Sequence, residues 1–91
     1  MVRSDEKLRA IVEQTTGALA IPLYVSTVRQ VFGEVVWEGP VYVFELKGHL
    51  PAQRAFAWSL SKAGEPPIPY VVVQSPSVND PAQAVRLMLS Q

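Results

Sequence analysis

His49 is the side chain in this sequence best suited to acid–base chemistry, because histidine titrates near neutral pH without any shift. It follows Gly48 in a segment typical of a turn, with Glu45 before it and Arg54 after it. A histidine near a carboxylate can act as a general base. We therefore take His49, Arg54 and Glu45 as candidate ligand-binding residues. A loop histidine bonded to water or to a local carbonyl is the simpler interpretation, so we assign no catalytic residue.

Metal and covalent chemistry have little support from the residue types. The chain has no cysteine and one histidine, which excludes disulfides, thiolate chemistry and a His-rich metal site within one protomer. Glu34, Glu38 and Glu45 could pair as carboxylates or bind a hard metal, but their spacing matches no ligand motif. Solvated strand edges explain these glutamates better. With no glycine-rich phosphate motif either, we expect neither a metal nor a cofactor.

Five aromatic residues could form a stacking platform for bases: Trp37, Tyr42, Phe44, Phe56 and Trp58. Such platforms come with a basic groove, because phosphates must be neutralised by lysine and arginine. Here eight basic residues balance eight acidic ones, and no basic cluster is present. Packing in a core is therefore the better interpretation, and we expect no nucleic-acid partner.

The elements that would position these residues are strands. Segments 41–47, 54–60 and 69–74 are rich in aromatic and β-branched residues in period-2 order. Turn-forming residues at 48–53 join the first two segments, which predicts an antiparallel three-stranded meander. Gly39-Pro40 predicts a bulge or bend on an edge, since proline cannot donate to a ladder.

Two helices are predicted at the ends of the chain. Ser4 is a suitable N-cap, apolar residues follow at helical spacing, and Gly17 is a suitable stop, which predicts a helix over about 5–16. Near the C-terminus, Asp80 as N-cap and Pro81 at the first helical position predict a second helix to about residue 90.

Residues 18–33 fit two structures. Pro22 could open a helix and Gly33 could end one, whereas Tyr24 and Val25 favour an edge strand, which would make the sheet four-stranded. We predict the helix. With the first helix and a hairpin, it would also permit a winged helix-turn-helix, a minor alternative function. The residues of its reader helix would then be Ser26, Thr27, Arg29 and Gln30, which include a single cation.

Both faces of the predicted sheet are apolar. Large side chains lie at even positions and small ones at odd positions, so an odd hairpin loop would sort them by face and an even loop would mix them. An antiparallel sheet with one wet face should instead alternate with polar residues. We expect helices to cover one face well and a second copy of the chain to complete the other, with Val41, Val43, Val71 and Val73 as interface residues.

Three short segments resemble a family of small uncharacterised bacterial proteins with a W-E-G…V-F-x-L-x-G-H-P…A-Y-A-W pattern. They are Trp37-Glu38-Gly39, residues 43–49, and Ala55-Phe56-Ala57-Trp58, about a quarter of the chain. Leu50 is interposed before the proline, and Phe56 replaces the tyrosine. No activity is known for the family, so the resemblance implies a bacterial origin and a sheet-centred fold, and no catalytic residue.

Residues 1–91 are thus predicted to form one α+β domain. Hydrophobic residues make up 48% of the chain and charged ones only 18%, which favours a second buried surface. The preferred function is a non-enzymatic, homodimeric interaction module. The alternative is a small-ligand-binding protein or minor enzyme with a pocket near His49 and Arg54. The N-terminal residues lead into an amphipathic segment and not into a signal peptide, so we expect a cytoplasmic protein without a membrane partner.

Overall fold

The computed structural model describes residues 4–48, 54–60, 64, 66–75 and 78–89 of the chain. Two helices and four strands follow one another in the order α1 (Ser4–Thr16), β1 (Leu19–Phe32), β2 (Val35–Lys47), β3 (Arg54–Leu60), β4 (Ile68–Val73) and α2 (Pro81–Leu89). The strands form one antiparallel sheet in which each strand pairs with its neighbours in sequence. The predicted α+β fold with a meander is confirmed, and the sheet has four strands.

The prediction of a second N-terminal helix over 18–33 is wrong, because this segment forms β1 and pairs with β2 along its whole length. Its aromatic and β-branched residues favour a pleated strand once a partner is available. Gly33 has φ +61° and begins the two-residue turn to β2, at the position where a type II′ hairpin turn requires glycine. The winged helix-turn-helix therefore has no reader helix.

The strand registers decide which side chains share a face. β1 has a bulge at Leu23, between Pro22 and Tyr24, and pairs regularly on either side of it. The bulge predicted at Gly39-Pro40 is absent, since both residues lie in regular pairing with β1. Val43 lies opposite Phe56, so large and small side chains are mixed on each face, as an even loop requires.

Helix α2 covers one face of the sheet, here called the α2 face. Val85 packs over a core that includes Val41, Val43 and Phe56. An aromatic row crosses the same face: the ring centroids of Trp37 and Trp58 are 6.2 Å apart, and those of Trp58 and Tyr70 are 5.9 Å apart. Trp37, Phe56 and Trp58 are buried in this face, so they do not form an exposed platform.

Helix α1 covers the opposite face, here called the α1 face. Leu8 and Val12 pack against Phe44, and the small side chains of Ala55 and Ala57 let the helix approach the strands. The helix ends at Gly17, which has φ +72° and donates its N–H to the Glu13 carbonyl at 2.8 Å. The Glu13 carboxylate accepts a hydrogen bond from the Ala20 N–H at 3.0 Å, which ties α1 to the start of β1.

The start of α2 has the capping predicted from the sequence. The Asp80 carboxylate accepts a hydrogen bond from the Gln83 N–H at 2.8 Å, and Pro81 takes the first helical position. The Gln83 side chain in turn accepts from the Asn79 N–H at 2.7 Å. These bonds fix the point at which the chain turns onto the sheet.

Candidate functional site

The predicted ligand-binding residues are only partly brought together. Glu45 and Arg54 lie directly opposite each other at the end of the β2–β3 pairing, and both are exposed. The Arg54 carbonyl accepts a hydrogen bond from the Gln74 N–H at 2.9 Å, so the main chain of Arg54 is held by the end of β4. His49 lies outside the described residues.

Two clefts of the described structure lie elsewhere. One of about 180 Å³ lies between α1 and the ends of β3 and β4, where its lining includes Lys7, Leu8 and Ser59. The other, of about 100 Å³, lies beside the bulge of β1, near Leu23 and Tyr42. Neither cleft contains Glu45 or Arg54, and neither brings an acid together with a base. Among the described residues, no group of three or more histidine, aspartate or glutamate side chains could hold a metal ion.

The four predicted interface valines do not form one surface. Val41 and Val43 lie on the α2 face and are fully buried beneath helix α2 of the same chain. Val71 and Val73 lie on the α1 face, half-buried against the cluster beneath α1. Val41 and Val43 therefore pack in the core of the protomer, whereas Val71 and Val73 keep part of their surface exposed.

The apolar surface left exposed is concentrated on β1. Nine large hydrophobic residues are exposed in the described part of the chain, and six of them belong to this strand: Leu19, Leu23, Tyr24, Val25, Val31 and Phe32. Only one charged residue, Arg29, interrupts it. We call the six side chains together with the free edge of β1 the outer-strand surface.

Among the described residues, no strand pairs with the outer edge of β1, although near its start the Ala20 N–H is bonded to the Glu13 carboxylate. β1 pairs with β2 alone, at one end of the strand order. β2 pairs with β3 only through Tyr42–Glu45, so residues 26–32 and 35–41 form a two-stranded ribbon that extends beyond β3. An exposed edge carries unpaired N–H and C=O groups that can pair with another chain. The bulge at Leu23 disturbs this edge near its start.

The sequence contained the signal for the outer-strand surface. Residues 19–32 combine aromatic and β-branched side chains with a single charge, which is typical of a strand. Assignment of the segment to a helix concealed the exposed edge, because a helix satisfies its own backbone groups.

Comparison with known proteins adds no function: no protein-family model, no curated protein and no solved structure matches this chain. Within the part of the chain that the structure describes, neither helix is long and apolar enough to cross a membrane.

Proposed function

We propose that the protein is a non-enzymatic interaction module that self-associates through the outer-strand surface. The observation that carries the proposal concerns the described residues: six of their nine exposed large hydrophobic side chains lie on a strand whose outer edge pairs with no other strand. The six side chains lie on both faces of the strand, and exposed apolar side chains gathered in one region tend to mark interaction sites. Addition of a strand to a sheet edge supplies main-chain hydrogen bonds as well as apolar contact.

The core beneath the two helices is not available for a contact with a second chain. α1 packs on one face and α2 on the other, and the side chains beneath them are already buried. A contact through Val41 or Val43 would require α2 to leave the sheet. A contact along β1 requires no rearrangement of the core, so it is the less costly way to bury more apolar surface.

A second copy of the chain is the partner that the charge distribution favours. Arg29 is the single charge on β1, and Glu38 lies opposite it on β2 of the same chain. The strand therefore offers little charge to recognise an oppositely charged partner. It matches another apolar strand with equally few charges, and its own copy meets that description.

Light scattering coupled to gel filtration over a concentration series tests the proposal. Val25 is 55% exposed and Val31 is 49% exposed, so a lysine at either position should leave the fold intact. We expect Val25→Lys and Val31→Lys each to raise the dimer dissociation constant at least about tenfold, equivalent to ~1.4 kcal/mol. Ile68→Lys is the matched control, because Ile68 is an exposed aliphatic residue on the opposite edge strand.

Three results would overturn the proposal. A monomer of the unmodified protein at the highest concentration reached would exclude self-association and make the small-ligand alternative the leading hypothesis. Dissociation by Ile68→Lys equal to that by Val25→Lys would show that the effect is not specific to β1. An unchanged dimer in both β1 variants would place the contact on another surface.

A further inference from the structure

We propose that two copies pair antiparallel through β1 about a two-fold axis at Val28. This pairing joins the two four-stranded sheets into a single sheet of eight strands. The inference rests on the proposed function and specifies the partner's position on the same surface. Each sheet has four strands in sequence order, with β1 at one end, so pairing of β1 with β1 adds the second sheet to the first.

The regular part of β1 is symmetric about Val28. The bulge at Leu23 bounds it on one side and the turn at Gly33 on the other, so uninterrupted pairing with β2 runs over Tyr24–Phe32. Val28 is the central residue of these nine. A two-fold axis perpendicular to an antiparallel pair must place one residue opposite its own copy. Centring that axis on Val28 lets the whole regular segment pair and keeps both bulges outside it.

The side chains agree with this register. In antiparallel pairs, directly opposed side chains are the contacts that decide stability. Apolar residues meet apolar ones and polar residues meet polar ones along the strand. The pairs are Tyr24 with the partner's Phe32, Val25 with the partner's Val31, Ser26 with the partner's Gln30, Thr27 with the partner's Arg29, and Val28 with the partner's Val28.

The two neighbouring registers that keep a two-fold axis would pair side chains less favourably. An axis at Thr27 would place Val25 opposite the partner's Arg29 and pair an aliphatic side chain with a charge. An axis at Arg29 would place this residue opposite the partner's Arg29, and like charges directly opposite destabilise a sheet. With the axis at Val28, Arg29 lies opposite the partner's Thr27 across the interface. Within its own hairpin, Arg29 lies opposite Glu38.

The symmetry also predicts a closed assembly. A two-fold axis perpendicular to the sheet places both α1 helices on one face and both α2 helices on the other, so each helical layer continues across the dimer. The edges that remain are two β4 strands of six residues, each with Pro69, and the part of each β2 that does not pair with β3, residues 35–41, which contains Pro40. Short edge strands and proline hinder further pairing, so growth beyond the dimer is disfavoured.

Single cysteine substitutions test the register, because the chain has no cysteine of its own. Directly opposed residues of an antiparallel pair have Cα atoms about 4.5–5.5 Å apart, within the range of about 4.4–6.8 Å that a disulfide spans. After mild oxidation and non-reducing electrophoresis, we expect Val28→Cys to give several-fold more covalent dimer than Thr27→Cys or Arg29→Cys. Each of these two variants reports one neighbouring register and serves as the matched control.

A mixed experiment avoids substitution of the buried Val28. Val25→Cys and Val31→Cys alter exposed residues. We expect little cross-linking of either variant alone and several-fold more when the two are mixed before oxidation. A tag on one variant identifies the mixed dimer by its mass. This result would support the axis at Val28 even if Val28→Cys failed to fold.

The outcomes separate the register from the proposed function. Preferential linking of Thr27→Cys or Arg29→Cys alone would overturn the axis at Val28 but keep pairing through β1. A dimer by light scattering that none of the variants or mixtures cross-links would overturn pairing through β1. A monomer at every concentration would overturn both the register and the proposed function.

Discussion

Trp58 is the residue whose removal should most clearly reveal how the α2 face is held together. It is 2% exposed and lies between Trp37 and Tyr70 in the aromatic row. Trp58→Ala removes the apolar area of the indole and leaves a cavity, which typically costs about 3–5 kcal/mol. We expect a value near the upper end, because two ring contacts disappear at once and aromatic pairs contribute beyond their area.

Trp37→Ala is the matched control for this substitution. Trp37 is 8% exposed, lies in the ribbon beyond β3, and has one recorded ring contact, to Trp58. Loss of its indole should therefore cost about 1–2 kcal/mol less than loss of Trp58. Urea unfolding followed by circular dichroism gives both free energies from the midpoint and slope. Because a domain of this kind is stable by only about 5–15 kcal/mol, Trp58→Ala should be marginal or unfolded.

The double variant tests the ring contact itself. If Trp37 and Trp58 interact as their 6.2 Å centroid separation indicates, the two losses should fall short of additivity by about 0.5–1.5 kcal/mol. A Trp58→Ala protein as stable as the unmodified one would refute the central position of Trp58 in the core. A cost for Trp37→Ala equal to or above that of Trp58→Ala would refute the ranking of the two sites.

Two further substitutions test local geometry. Asp80→Ala removes the acceptor of the Gln83 N–H at the start of α2 and should lower the free energy of unfolding in urea by about 1 kcal/mol. Asp80→Asn should be nearly neutral, because asparagine also caps helices. Equal costs for the two substitutions would exclude the capping role. Gly39→Ala places a Cβ 3.0 Å from Cζ2 of the Trp37 indole, so it should lower the free energy of unfolding by about 1–3 kcal/mol through overpacking. In a Trp37→Phe background this cost should decrease, and an undiminished cost would contradict this cause.

The parts of the fold that the sequence predicted correctly depend on short-range signals. The start of α2 is encoded within four residues, where Asp80 caps the N–H of Gln83. The end of α1 is similarly local, because Gly17 supplies the positive φ that a C-terminal stop requires. The pattern over Arg54–Leu60 gave β3 with its observed bounds, since seven residues of alternating aromatic and small side chains suit a strand buried on both faces.

Residues 18–33 were assigned wrongly because local and long-range signals disagree there. Pro22 and Gly33 fit the start and end of a helix, but both residues also fit a strand bulge and a hairpin turn. The pairing of β1 with β2 decides between these structures, and it involves residues up to 28 positions apart, from Leu19 to Lys47. The periodicity of residues 18–33 alone does not show whether a partner strand is available for them.

The arrangement of the two helices also depends on long-range contacts. Both faces of the sheet were correctly expected to need cover, but the sequence does not show that α1 and α2 take opposite faces. That arrangement buries Val41 and Val43 within the protomer. The exposed large hydrophobic residues of the described chain lie mainly on β1.

The first hairpin is longer than the rest of the sheet, and α2 packs on only one of its faces. β1 and β2 have 14 and 13 residues, whereas β3 and β4 have 7 and 6, so the first hairpin extends beyond the rest of the sheet. On the α1 face of this ribbon, Arg29 and Glu38 lie opposite each other. Stacking two such faces would bury both charges, and the desolvation of a buried ion pair can exceed its Coulombic attraction. Pairing along the edge would leave Arg29 and Glu38 near water while the backbone of β1 gains a partner, which supports the proposed contact at the edge.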